Sequence, residues 1–223
     1  MPQANLSYIL VVLSNFSFAL ASIFFTYYSK KLTPLWMNAF KSSATFIFLI
    51  ITVPLFIPLQ LSSHQTSYGL LLSGAIGLGV GDLFLFRAFY EIGAARTLIL
   101  FGFQPLFMAI SSHFFFDQNI QYNHAIAIVL MMICLFLFAY ENKKDNGTWQ
   151  VMGLLYALIG VMLDTSGVII SRLSFDQSPD LHPLWGHMFR TSGAVLFFIL
   201  FSKLVKPIPL FTTFFTQPNK DRM

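Results

Sequence analysis

Charge is scarce in this chain of 223 residues: Asp, Glu, Lys and Arg together make up 10% of it, against about 25% in an ordinary soluble domain. Hydrophobic residues make up 56%, so the chain has too little polar surface to fold as a water-soluble globule. Cysteine is limited to Cys134, which excludes an internal disulfide and leaves the redox compartment unread. There is no His-Glu-x-x-His, no Gly-x-Ser-x-Gly and no cluster of metal ligands, and the five histidines are scattered. An enzyme is therefore not expected, and neither is a metal or other cofactor. The net charge of +4 would suit a nucleic-acid binder in a soluble protein. Here the basic residues sit almost wholly at the ends of apolar runs, where they orient a membrane chain, and no nucleic-acid partner is expected.

What is present is a series of apolar runs. About 20 helical residues cross the roughly 30 Å hydrocarbon layer, and seven runs meet that need: Leu6 to Tyr28, Leu35 to Leu55, Tyr68 to Tyr90, Leu98 to Phe116, Ala125 to Tyr140, Val151 to Ile170 and Leu184 to Leu204. None alternates as a barrel strand does, and a helix satisfies its own backbone in lipid. The expected fold is all-α, a polytopic membrane bundle of about seven transmembrane helices in the cell (inner or plasma) membrane, with the lipid bilayer as its partner. No Lys or Arg precedes the first run, so it reads as a retained helix and not a cleaved signal. With seven spans, nearly all the Lys and Arg fall on one side, which places the N-terminus outside.

The chain also contains an internal echo. Leu32-Thr33-Pro34-Leu35-Trp36, with Phe40, Lys41 and Ser43, returns 149 residues later as Leu181-His182-Pro183-Leu184-Trp185, with Phe189, Arg190 and Ser192. Eight of the 19 positions from Leu32 to Ile50 are identical in the second copy. The second span then corresponds to the seventh and the first to the sixth, so one unit holds five spans. An odd unit enters the membrane inverted on its second appearance, the inverted-repeat plan of many secondary transporters. The expected units are residues 1–146, a full five-helix repeat, and 147–223, two helices of a second. A complete 5+5 plan needs about ten spans, so the chain is expected to be truncated. It would then work either as a homodimer or not at all, as a non-transporting gene product.

Beyond the echo, Gly77 leads through Tyr90-Glu91-Ile92-Gly93-Ala94-Ala95-Arg96 into Gln104-Pro105. Together with the Pro-Leu-Trp entries and the 5+5 plan, this run resembles EamA-like members of the drug/metabolite transporter superfamily. The resemblance covers nearly the whole chain and implies a secondary carrier that moves amino acids or other small metabolites outward by alternating access. It also implies both termini in the cytoplasm, against the charge count. Two features depart from the pattern. Asp117-Gln118-Asn119 lacks the basic partner common at the end of the fourth span, and the first span offers Asn15 where smaller relatives use a carboxylate.

Several polar residues within the runs are candidates for the substrate or ion pathway. Asp82 is near the middle of the third span, where an isolated charge costs about 2.5 to 3.5 kcal/mol by insertion scales. It is read either as a cation or proton site or as the partner of another polar group. Lys41 and Arg190 hold equivalent places in the two copies and are expected near opposite membrane faces, as gates or substrate-attracting groups or as snorkelling charges. Gln104 precedes Pro105, whose missing N–H frees a backbone carbonyl and kinks the fourth span. Asn15, Asn38, Asp164 and His187 complete the set. Arg87 and Glu91, four residues apart, are expected to pair. Gly74, Gly77 and Gly81 form a stripe for close helix packing, while Trp36, Trp149 and Trp185 read as interface anchors. A seven-helix receptor is the competing reading, but the seventh span lacks a central lysine and the echo has no place in that fold.

Overall fold

A computed structural model describes residues 2–60, 62–116 and 151–204, with residues 122, 126–130, 132, 133 and 137 between them. It is an all-helical polytopic bundle among these residues. The helices are α1 (Pro2–Ser29), α2 (Pro34–Phe56), α3 (His64–Ser73), a π-helical segment (Gly74–Gly81), α4 (Asp82–Phe101), α5 (Gln104–Phe116), α6 (Val151–Asp176) and α7 (Pro183–Leu204). Among the described residues, five stretches are long and apolar enough to cross a membrane: Tyr8–Ser29, Pro34–Phe56, His64–Phe101, Val151–Asp176 and Pro183–Leu204.

The two remaining expected spans have separate explanations. The fourth is interrupted: α4 ends at Phe101, the chain turns through Gly102 and Phe103, and α5 restarts with 13 residues. The fifth, Ala125 to Tyr140, lies largely outside the described residues, as do Asp117-Gln118-Asn119, Cys134, Trp149 and the tail after Leu204.

Local sequence sets most boundaries. Thr33 caps α2 by accepting a hydrogen bond from the Trp36 N–H, and Pro34 occupies the first turn, where its missing donor costs nothing. Ser63 caps α3 in the same way through the Thr66 N–H. Between the third and fourth spans the reversal comes from Gly93, at φ 79° and ψ 173°, a region open in practice only to glycine. Beyond it, Ala94, Leu98 and Phe101 pack against the cluster of Trp36, Met37, Leu85, Phe86 and Phe89. Pro105 stands in the first turn of α5, so the break expected at that proline begins at Gly102, before it.

The π-helical segment is central to the packing. It lies against α6 and α7, while α4 packs chiefly on α6, α2 on α7, and α1 on α4. Glycine makes this closeness feasible: a Cβ on Gly74 would collide with the Arg190 carbonyl, and one on Gly167 would stand 2.9 Å from the Ser73 carbonyl oxygen. Serines fasten the same seam. Ser73 Oγ donates to the Gly167 carbonyl at 2.6 Å and shares a hydrogen bond with Ser171 Oγ at 2.6 Å.

At the other end, Leu181 and Trp185 pack on Leu49, Val53 and Leu70. Trp185 Nε1 donates to the Pro58 carbonyl at 3.0 Å. The start of α7 thus meets the end of α2, and the two helices run antiparallel. Trp36 and Trp185 are 7% and 3% exposed, so both echoed tryptophans are core residues and not lipid-facing anchors. Each begins a helix whose first turn is folded against a neighbour, which buries the ring before it reaches the membrane interface.

Candidate functional site

Charged side chains converge where the π-helical segment meets α2, α6 and α7. Asp82, the first residue after that segment, is 6% exposed and forms an ion pair with Lys41 of α2. An ammonium beside a buried carboxylate offsets much of the cost of holding either charge in an apolar interior. Lys41 Nζ also stands 5.4 Å from the centre of the Phe86 ring, close enough for a cation–π contact.

One turn before Lys41, Asn38 is fully buried. Its amide nitrogen donates to the carbonyls of Leu78 and Gly79, each at 2.9 Å. Both acceptors belong to the π-helical segment, whose wider turns depart from the ordinary backbone pattern. Asn38 therefore clamps the irregular backbone while Lys41 holds the side chain that follows it. The sequence marks Asn38 as a pathway candidate but not as a clamp, because its partners are carbonyls 40 and 41 residues away.

A second set of groups lies on the α6 and α7 side. Gln104, at the start of α5, donates through Nε2 to Asp164 Oδ2 at 2.8 Å. Asp164 is within electrostatic range of Asp82, Arg190 and Lys41. Gly81 packs on the backbone at Asp164, and the Gly77 Cα faces both Asp164 and Arg190. His187 lies one turn before Arg190 on α7, within electrostatic range of Arg190 and Lys41.

Six of the pathway candidates thus gather around the π-helical segment: Asp82, Lys41, Asn38, Gln104, Asp164 and Arg190, with His187 beside them. Gly74, Gly77 and Gly81 form the surface on which α6 and α7 approach. Asn15 does not join. It is exposed on α1 and donates to its own helix, at the Val11 carbonyl, over 3.0 Å. Lys41 and Arg190 both lie inside their helices. Each comes seven residues after its helix begins, about 11 Å along the axis, and the antiparallel helices bring them in from opposite ends. Arg87 and Glu91 pair at 2.8 Å, as their spacing predicts, near Gly93 and apart from this cluster. The π-helical geometry itself had no sequence signal beyond the density of glycine from Gly74 to Gly81.

Residues 5–140 match the EamA-like transporter family. No curated protein and no solved structure shows a significant match to the chain.

Proposed function

The chain belongs to the EamA-like transporter family and is an integral membrane transporter, and from that premise we propose that it exports small metabolites, amino acids among them, by alternating access. The plasma or inner membrane is the expected site of action. The observation that carries the reading is the charge cluster: two carboxylates and two cations, contributed by four separate helical segments, around a glycine-rich π-helical stretch. A bilayer protein has little reason to hold four charges in its interior unless they meet a solute or one another as helices move.

The Lys41–Asp82 pair joins α2 to the segment that follows the π-helix, and Gln104–Asp164 joins α5 to α6. Motion of one helix set against the other strains or exchanges these links while glycine surfaces slide without interlocking side chains. The antiparallel course of α2 and α7 supports the same mechanism, since it brings Lys41 and Arg190 to the cluster from opposite ends. No hydrolytic or redox step is needed, because a solute gradient supplies the driving force and the helix motion only exposes the site to one side and then the other.

The test is solute release. Cells producing the chain, loaded with labelled metabolites, are compared with empty-vector cells for the rate at which each solute appears outside. Release of at least one small metabolite above the vector rate supports export. A metabolite profile indistinguishable from the vector, with the chain present in the membrane, contradicts it.

A further inference from the structure

We propose that His182 is a pH-sensitive latch between the loop joining α2 to α3 and the loop joining α6 to α7, closed while its imidazole is neutral and loosened when it is protonated. The inference goes beyond the transport reading and does not depend on it. It begins in the sequence echo, where Thr33 and His182 hold the same place, each immediately before the proline that opens α2 or α7. Both side chains cap their helices. Thr33 accepts the Trp36 N–H through its hydroxyl at 3.3 Å, and His182 accepts the Leu184 N–H through Nδ1 at 3.2 Å. A hydroxyl oxygen can always accept that bond, whereas an imidazole nitrogen accepts only when it carries no proton. Histidine is the residue type that ordinarily changes charge between about pH 5 and 8.

The same residue ties the two loops together. The His182 backbone N–H donates to Gln60 Oε1 at 2.6 Å, while its carbonyl accepts the first bond of α7 from the Gly186 N–H at 3.2 Å. Thr66 and Ser178 share a hydrogen bond at 2.8 Å at this end, and Trp185 reaches the Pro58 carbonyl. These bonds join residues 112 to 127 positions apart, so they hold α2 and α3 to α6 and α7 at one end of the bundle. His182 lies outside the candidate spans and is exposed, next to a cleft of about 450 Å³ bordered by Gln60, Ser178, Asp180 and Leu181. Protons therefore reach the ring from water, and the ring has room to turn away.

Protonation acts on the cap and the latch together. A proton on Nδ1 sets the ring N–H against the Leu184 N–H, and it adds positive charge where the free backbone donors of α7 already carry partial positive charge. The ring then turns out, the first turn of α7 frays, and the His182 N–H is no longer held on Gln60. Few other charged or titratable groups stand at this end. Asp176 and Asp180 lie on the α6–α7 side, His64 opens α3, and residues 57–63 carry none. Arg172, a turn earlier on α6, stands over the Phe116 ring, while His187 and Arg190 of α7 belong to the internal cluster. Asp180 borders the cleft, so its carboxylate draws the imidazolium away from the helix end and works in the same direction as the loss of the cap.

The test is hydrogen–deuterium exchange of the full chain in detergent micelles, read by mass spectrometry as protection factors, which remove the pH dependence of the intrinsic exchange rate. Protection over residues 181–186 should fall about fivefold from about pH 8 to about pH 5.5, the size of a lost helix cap, while residues 82–89 of α4 keep theirs. His182→Thr supplies the cap that α2 already uses and should hold the same protection at both values. His64→Gln should show the wild-type fall. Unchanged protection in the wild type, a fall of the same size in His182→Thr, or its disappearance in His64→Gln would overturn the latch. A fall shared equally by α4 would also overturn it, because it would report acid unfolding of the whole bundle.

Discussion

Removing the Asp82 carboxylate isolates a cation. Asp82→Asn preserves the shape of the side chain but leaves Lys41 without its carboxylate partner. Breaking a buried pair from one side costs about 3 to 5 kcal/mol, because the remaining charge is uncompensated. The Asp82 side chain is 9% exposed and that of Lys41 29%, so the lysine keeps some freedom to reorient and the lower end, about 3 kcal/mol, applies. Removing both charges in Lys41→Met/Asp82→Asn should recover most of that loss, since a buried pair replaced by neutral groups of similar volume is often close to neutral in stability. The assay is reversible unfolding in mixed micelles, with the two single variants and the double variant completing a cycle. The expected coupling between the sites is about 2 kcal/mol or more, beyond what independent sites show. Additive single effects, or an Asp82→Asn protein as stable as the wild type, would refute the view that these groups share a desolvated pair.

Three further outcomes follow from the backbone. Gly93→Ala should lose about 1 to 3 kcal/mol, measured as a lower melting temperature in detergent, because its φ of 79° and ψ of 173° suit only glycine. Space is not the cause, as nothing lies within 4 Å of the added Cβ. Asn38→Leu should lose about 1 kcal/mol in the same assay, since it gives up two hydrogen bonds to the π-helical segment but also removes an Oδ1 with no partner among the described residues. Gly74→Ala forces its Cβ into the Arg190 carbonyl and should cost about 3 kcal/mol or more, seen as poor recovery of folded protein; normal recovery and stability would contradict the close approach of the third span and α7.

The helices were legible because apolar runs interrupted by Pro34, Gly93 and Pro183 report directly on backbone preferences. Gly93 lies between the third and fourth apolar runs, although only the structure gives its dihedral angles. The spacing of Arg87 and Glu91 was enough to pair them, being local to one helix. Lys41 and Asp82 were each singled out, but their pairing was not legible, because it depends on how α2 lies against the third span and the sequence places them 41 residues apart. Asn38 clamping the Leu78 and Gly79 carbonyls was hidden for the same reason. Trp36 and Trp185 misled: at a helix start the composition of an interface anchor and that of a core residue are the same, and only the neighbouring helix decides between them. The glycine stripe pointed to packing but not to the π-helical turns, which arise when a flexible backbone is held by partners outside its own helix.

The central claim is that the charge cluster around the π-helical segment moves solute, and it is tested most directly where folding and transport separate. The Lys41→Met/Asp82→Asn protein, stable by the reasoning above, is reconstituted in liposomes beside the wild type, and efflux of a solute released by wild-type cells is followed under an imposed solute gradient. The wild type should release that solute well above protein-free liposomes, and the folded double variant should fall to the protein-free rate. Equal efflux from the two proteins would contradict the claim.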